Sequence, residues 1–311
     1  MAATLGVAAA MMALATAGSP AHAQPARTAP TPPPPPSAAP QPPPPVFGAT
    51  VDPKLKAVMV PNFWNVERRV ERPDAARLPK ELRFVTTDDY APFNFLNSDG
   101  ILSGFNVDLA RAVCAELAVT CVIQAAAFDA IPDAIGEGRA DAAIAGIAAT
   151  PANRATFDFS ERYLGRPARF VGKAQETLDT ATPETVASKK IGVVSRTAHE
   201  AYLRSFFNEA AIRTYADLKS AQEALKAGQV DLVFGDGITL ALWLNGTESA
   251  GCCRFVGGPF TESRFFGDGF SVAVKEGNDT LRHAIDFALQ RIWEKGVYTD
   301  TYLRWFPIGF Y

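Results

Sequence analysis

The sequence of 311 residues lacks the features that mark nucleic-acid-binding proteins and several common classes of enzyme. Basic residues are not in excess, because the formal net charge is −3, and we therefore expect no nucleic-acid partner. Histidine occurs three times, and the chain contains no GxSxG, HExxH or Walker phosphate-binding motif. We therefore expect no catalysis of these types, no cofactor and no metal site.

Long apolar runs are also absent after residue 23, so we expect the exported protein to be soluble. Residues 5–17 form an uncharged apolar run that is too short to span a bilayer, and small residues typical of a cleavage site follow at 19–23. We expect residues 1–23 to be a signal peptide. No Lys or Arg precedes the run, so a misassigned start codon and an alanine-rich helix stay open as alternatives.

Proline, by contrast, is concentrated near the N-terminus. Residues 24–46 consist mostly of Pro, Ala, Thr, Ser and Gln, with unbroken proline tracts at 32–36 and 42–45. Such a segment favours extended polyproline II and predicts a disordered, stiff linker. A docking peptide for a proline-binding module is the alternative. Residues 47–80 are interpreted as an N-terminal extension that packs on the folded body.

The body that begins at Glu81 alternates between strand and helix patterns. This order predicts an α/β fold with largely parallel sheets covered on both faces. The predicted strands are 82–86, 121–125, 141–147, 190–194, 212–215 and 230–234, and the predicted helices are 106–117, 128–135, 198–207, 218–227 and 238–244.

Two segments of the body repeat one pattern 90 residues apart. In residues 134–146 and again in 224–236, an amphipathic helix stops at a glycine and an aspartate opens a buried strand. Each strand ends in small residues, Gly146 among them, at the edge where open α/β sheets bind ligands. We infer two similar lobes that face each other across a cleft, with chance similarity of two helix-turn-strand units as the alternative.

Five ordered segments resemble the family 3 periplasmic solute-binding proteins of ABC transporters, typified by binders of polar amino acids. The resemblance covers about residues 82–306. It rests on TDDYAPF at 87–93, GFNVDLA at 104–110, TPANR at 150–154 running to DFS at 158–160, VFGD at 233–236 and YLRWF at 302–306.

The resemblance implies a two-lobed, type II periplasmic binding protein clamshell with a hinge of two crossing strands. Lobe 1 would comprise residues 81–174 plus 259–311, and lobe 2 residues 175–258. The implied function is capture of a small polar solute of the amino-acid type by lobe closure, with delivery to an ABC permease of the inner membrane.

A periplasmic, monomeric binding protein that is not an enzyme is therefore expected. Two alternatives are a dehydratase-like enzyme on the same fold, and an envelope assembly or sensor protein that has lost transport.

Four cysteines are present. The spacing of Cys114 and Cys121 resembles a helix-to-strand disulfide of some amino-acid binders, so the resemblance implies that they are bonded. The adjacent Cys252 and Cys253 could form a vicinal disulfide, remain thiols or pair between chains. The spacing of the four residues does not match a CxxC-type metal site.

An amino acid carries an ammonium and a carboxylate, and each needs a charged partner in a closed cleft. Asp236 matches the family position that binds the ammonium, and its alternative role is that of a helix cap. Arg154 is the candidate for the carboxylate, although the family commonly places this arginine one position earlier, at Asn153. Arg196 is the competing candidate.

The remaining ligand contacts are implied by matching positions. Thr197 would cap a helix whose N-terminus favours an anion. Tyr90 and Phe128 match aromatic positions around the ligand side chain, with ordinary core packing as the alternative for Phe128. Thr87 stands where cation-binding members have an acid, which disfavours a basic ligand.

Overall fold

The computed structural model describes residues 60, 69–306 and 309–311, all of which belong to one compact unit spanning residues 54–311. The predicted signal peptide (1–23) and linker (24–46) lie outside the described residues, as does most of the extension at 47–80. Where the extension is described, Val60 and Leu78 pack against a buried apolar cluster that includes Leu82, Phe84 and Leu109.

The strands follow in chain order: β1 (Glu81–Thr86), β2 (Asp89–Tyr90), β3 (Asn94–Leu96), β4 (Leu102–Ser103), β5 (Thr120–Ala125), β6 (Ala142–Ala143), β7 (Phe157–Phe159), β8 (Ala168–Lys173), β9 (Lys190–Val194), β10 (Ala211–Tyr215), β11 (Leu232–Asp236), β12 (Cys253–Phe260) and β13 (Ala273–Lys275). The α-helices are α1 (Phe105–Leu117), α2 (Ile131–Gly136), α3 (Pro183–Val186), α4 (Ala198–Phe206), α5 (Leu218–Lys226), α6 (Gly237–Asn245), α7 (Ser263–Phe266), α8 (Asp279–Glu294) and α9 (Val297–Trp305). Short 3₁₀ turns lie at Ala75–Arg77, Phe128–Ala130, Asn153–Ala155 and Thr247–Ser249.

Two five-stranded sheets organise the described chain. The first sheet has the order β5-β1-β6-β13-β7, and the second has the order β10-β9-β11-β8-β12. In each sheet, three strands pair in parallel and two further strands add in antiparallel fashion. The predicted α/β class with two similar units is therefore confirmed, and β2, β3 and β4 form a small third sheet.

The repeated helix-glycine-strand pattern has the same structural role in both sheets. Gly138 and Gly228 follow α2 and α5 with positive φ values of 73° and 74°, a conformation that favours glycine. The aspartate that comes next accepts a backbone N–H from the neighbouring strand in both cases: Asp141 from Arg83 at 2.9 Å and Asp231 from Lys190 at 2.7 Å. These contacts set the parallel register where each strand begins.

Strands β8 and β12 connect the two sheets along the chain. Both hydrogen-bond into the second sheet, where β8 lies between β11 and β12. Both strands, at residues 168–173 and 253–260, lie next to the expected lobe boundaries at residues 174 and 258, which stay predictions. The helices α8 and α9 return to pack on α1 beside the first sheet, as expected for a C-terminal segment that rejoins it.

One predicted strand is much shorter than expected. The apolar run at 141–147 predicted seven residues, but β6 spans Ala142–Ala143. Gly146 adopts a φ of 70°, which is incompatible with extended backbone, so the chain turns away from the sheet there. Within the described chain, none of the helices is long and apolar enough to cross a membrane.

Candidate ligand-binding site

A cavity of about 130 Å³ lies where the second sheet meets the segment that leads into β8. Its size is below the roughly 300–1,000 Å³ of sites for drug-sized ligands, so it suits a small solute. The lining residues are Arg166, Ala198, His199, Asp236, Phe265 and Phe266. One of them, Asp236, was predicted as a ligand-binding residue. A larger groove, about 630 Å³ and lined in part by Arg77 and Asn278, contains none of the predicted ligand-binding residues.

Asp236 ends β11 and caps α6. Its Oδ1 accepts hydrogen bonds from the backbone N and the Oγ1 of Thr239, both at 2.8 Å, while Oδ2 lies 3.3 Å from Nη2 of Arg166. The next residue, Gly237, donates its N–H to the Pro167 carbonyl at 2.8 Å, and a Cβ there would come within 2.7 Å of that oxygen. The close approach fixes Asp236 against the segment that carries Arg166. The helix cap expected as its alternative role is thus present, and Asp236 also lines the cavity beside Arg166.

Tyr90 and Gly146 lie against each other. The Tyr90 ring packs on Phe93 with a centroid distance of 4.8 Å, and a Cβ on Gly146 would come within 3.2 Å of the Tyr90 ring. Gly146 therefore makes room for this ring. Burial raises the pKa of Tyr90, and the nearby charges of Arg166 and Asp236 act on it in opposite directions. Tyr90, in β2 of the small third sheet, is therefore close enough to Arg166 and Asp236 for their charges to act on its hydroxyl.

Thr197 and Arg196 form the turn that opens α4. Thr197 is the N-cap, since its Oγ1 accepts the Glu200 N–H at 3.3 Å, and it also donates to the Val194 carbonyl at 2.7 Å. Arg196 adopts a φ of 59° and donates its backbone N–H to Glu200 Oε2 at 2.6 Å. The Arg196 side chain is exposed and does not line the cavity.

Arg154 and Phe128 do not line this cavity either. Arg154 donates from Nε to the Ala149 carbonyl at 3.2 Å, and its guanidinium lies 5.5 Å from the centre of the Phe159 ring. Phe128 is 58% exposed in a 3₁₀ turn. Their ligand roles stay predictions, as do those of the other matched positions.

The sequence analysis missed Arg166, His199, Phe265 and Phe266. His199 follows two residues after the predicted Thr197; the sequence pattern places it near the start of α4, as observed, but does not assign it to the ligand site. It stacks on Phe266 at 5.3 Å, and burial lowers its pKa. The imidazole is therefore neutral at pH 7. The sequence gives no local signal for Arg166, which lies in the link between the two sheets.

The cysteines form two disulfides. Cys114 at the end of α1 is bonded to Cys121 in β5, which confirms the pairing that the family resemblance implied. Cys252 and Cys253 are bonded to each other as a vicinal disulfide, one of the three states left open. Among the described residues, no group of three or more His, Cys, Asp or Glu side chains comes together as a metal site.

Comparison with known proteins identifies the class to which this fold and cleft belong. The sequence profile of the bacterial extracellular solute-binding proteins, family 3, matches residues 82–308. The chain belongs to this family, so its role is solute binding and not catalysis, as expected. Fold neighbours support the two-lobed clamshell. An L-cystine solute receptor of Neisseria gonorrhoeae, solved in an unliganded open conformation, has a TM-score of 0.65 and 19% identity, with 74% of this chain and 94% of that chain covered.

Two relatives at higher identity are named for the ligands that they bind. The arginine-binding periplasmic protein of Mannheimia haemolytica is 31% identical over 221 residues, which cover 71% of this chain and 89% of the relative. A structure described as an ancestral cationic amino acid solute binding protein is 26% identical with a TM-score of 0.57, and 73% of this chain and 96% of that chain are covered.

Proposed function

We propose that this chain binds a small α-amino acid in the cleft beside Asp236 and serves as the substrate-binding component of an ABC importer. The observation that carries the proposal is Asp236, which lines a small cavity in a chain of the solute-binding family and whose Oδ2 lies 3.3 Å from the partly exposed guanidinium of Arg166. A carboxylate in such a place suits an ammonium group, because a charge inside a closed cleft requires an opposite charge. The amino-acid binders among the relatives support the same ligand class.

Other groups around the cavity complete the proposed site. Tyr90 would pack against the ligand, with Gly146 leaving space for its ring. The N-terminal turn of α4, capped by Thr197, would favour the negative end of the ligand. A ligand that contacts both sheets stabilises the closed arrangement, and the permease would distinguish closed from open protein. We further propose that the protein is a monomer exported to the periplasm by residues 1–23.

The charges at the cavity argue for a neutral or acidic side chain on the ligand. Asp236 is the one acid among the cavity-lining residues, and Arg166 already balances it. The family resemblance implies that Thr87 stands where cation-binding members have an acid, and Thr87 is buried, with its Oγ1 accepting from Asn94 at 2.7 Å. A lysine or arginine side chain would therefore meet a cation and lack a second acid. This preference differs from the arginine and cationic amino acids for which the two relatives are named.

Calorimetric titration of ligand-stripped protein tests the proposal. The panel is L-glutamine, L-glutamate, L-arginine and L-lysine, supplemented by the remaining common amino acids. We expect glutamine or glutamate to bind at least about tenfold more tightly than either basic amino acid, equivalent to about 1.4 kcal/mol. Tight binding of arginine would refute the charge preference but keep the amino-acid function. Failure of every amino acid to bind would refute the function itself.

A further inference from the structure

We infer that Arg166, which the sequence comparison does not single out, is the residue that holds the ligand's carboxylate. Arg166 and Asp236 would then form a charge pair matched to the two charges of an amino-acid zwitterion. The inference rests on the proposed function, since it specifies how that same cleft recognises its ligand.

The backbone on both sides of Arg166 is anchored. The Leu164 carbonyl accepts the Phe270 N–H at 2.7 Å, and the Pro167 carbonyl accepts the Gly237 N–H at 2.8 Å. The guanidinium of Arg166 lies 5.5 Å from the centre of the Phe270 ring, a cation–π distance. Both ends of this side chain are therefore positioned before a ligand arrives, which lowers the entropy lost on binding.

The contact between Arg166 and Asp236 leaves most of the guanidinium free to bind a ligand. An arginine has five N–H donors, and within the described chain the polar contact of this side chain is the one from Nη2 to Asp236 at 3.3 Å. The Arg166 side chain is 41% exposed, so solvent screens the pair and it contributes little to stability. The ligand carboxylate can therefore bind Arg166, and the ligand ammonium Asp236, with little loss of free energy from the weakened Arg166–Asp236 contact.

The two arginines matched by sequence are less well placed. Arg154 is held by the Ala149 carbonyl and lies over Phe159, and the side chain of Arg196 is exposed. Neither lines the cavity that contains Asp236, whereas Arg166 does. A bidentate guanidinium–carboxylate contact requires the arginine at the ligand, and Arg166 is the arginine that meets this requirement.

The charge balance of the cavity also fits a zwitterion. Arg166 contributes one positive charge and Asp236 one negative charge, and the neighbouring His199 is neutral at pH 7 because burial lowers its pKa. An α-amino acid pairs its carboxylate with Arg166 and its ammonium with Asp236, so all four charged groups have a partner. An amine without a carboxylate would leave Arg166 without a partner in the closed cleft, and buried unpaired groups are costly.

The test compares a free amino acid with its α-methyl ester, in which the carboxylate is blocked. The probe is the member of the panel of glutamine, glutamate, arginine and lysine that the wild type binds most tightly. Calorimetry on Arg166→Gln should show affinity for the free amino acid reduced about 30- to 1,000-fold, with the affinity for the ester changed less than about threefold. Arg166→Lys should recover part of the loss. Arg213→Gln, an exposed arginine on β10, is the matched control and should bind as the wild type does.

Each other outcome overturns the inference. Equal losses for the acid and the ester would assign Arg166 a structural role, and tighter binding by Arg166→Gln would mean that it competes with the ligand for Asp236. A comparable loss in Arg154→Gln or Arg196→Gln, with Arg166→Gln unaffected, would place the carboxylate there. Absence of amino-acid binding by the wild type would instead refute the proposed function, and this inference with it.

Discussion

The two roles of Asp236 can be separated by substitution. Its Oδ1 caps α6 through Thr239, and its Oδ2 contacts Arg166, which lines the same cavity. Asp236→Ala removes both the cap and the charge, whereas Asp236→Ser keeps an oxygen that can cap the helix and removes the charge alone. The difference in stability between the two variants therefore measures the helix cap, and the loss of affinity in Asp236→Ser measures the charge.

The expected magnitudes follow from the observed contacts. Loss of an N-cap costs about 1 kcal/mol of unfolding free energy, so Asp236→Ala should be less stable than Asp236→Ser by about that amount. Both variants lose the partly exposed contact with Arg166, so this small contribution cancels in the comparison. For binding, both lose a charged partner of the ligand ammonium, worth about 1.5–3 kcal/mol or about 10- to 150-fold in affinity.

Urea denaturation and calorimetry measure the two effects, and Asp217 supplies the control. Asp217 caps α5 by accepting the Ser220 N–H at 2.7 Å, and it does not line the cavity. Asp217→Ala should lose similar stability and bind ligand normally. Wild-type affinity in Asp236→Ser would reduce Asp236 to a helix cap and refute the proposed ammonium site.

Two further predictions concern stability. Replacing Cys114 and Cys121 together by serine should lower the unfolding free energy by about 2.5 kcal/mol on the chain-entropy model, and an unchanged urea midpoint would contradict this. Burial lowers the pKa of His199 below its usual 6.5, so the unfolded state binds more protons and stability should fall as the pH drops from about 6.5 towards the folded value. His199→Asn should flatten this part of the curve of melting temperature against pH, whereas an unchanged slope would refute it.

Most of the fold was predictable because its signals are local. The apolar faces of α1 and α5 predicted helices whose observed bounds differ by one residue, and the glycine after α5 marks where that helix stops. The strand at 141–147 was overpredicted, because an apolar run does not reveal that Gly146 takes a positive φ and that the Tyr90 ring lies against it. The early end of β6 thus depends on the packing of Gly146 against Tyr90, which is a contact between residues distant in sequence.

The candidate site was predictable where the residue lies at the end of an element. Asp236 follows a buried strand and Thr197 precedes a helix, so pattern alone placed both at the ends where ligands bind. The choice of arginine was not predictable in this way. Arg154, Arg166 and Arg196 all lie in turns or links, and residue type does not distinguish them.

Strand register supplies the missing information about Arg166. Strand β8 pairs antiparallel to β11 with Ala168 opposite Asp236, so the residues just before β8 must lie beside the end of β11. Arg166 is two residues before Ala168 and 70 residues from Asp236 along the chain, a separation that only the sheet bridges. The neighbour of Asp236 is thus determined by the register of the strand that crosses between the two sheets. A substitution at position 166 that retains this register should change the charge at the proposed ligand site and leave the scaffold in place.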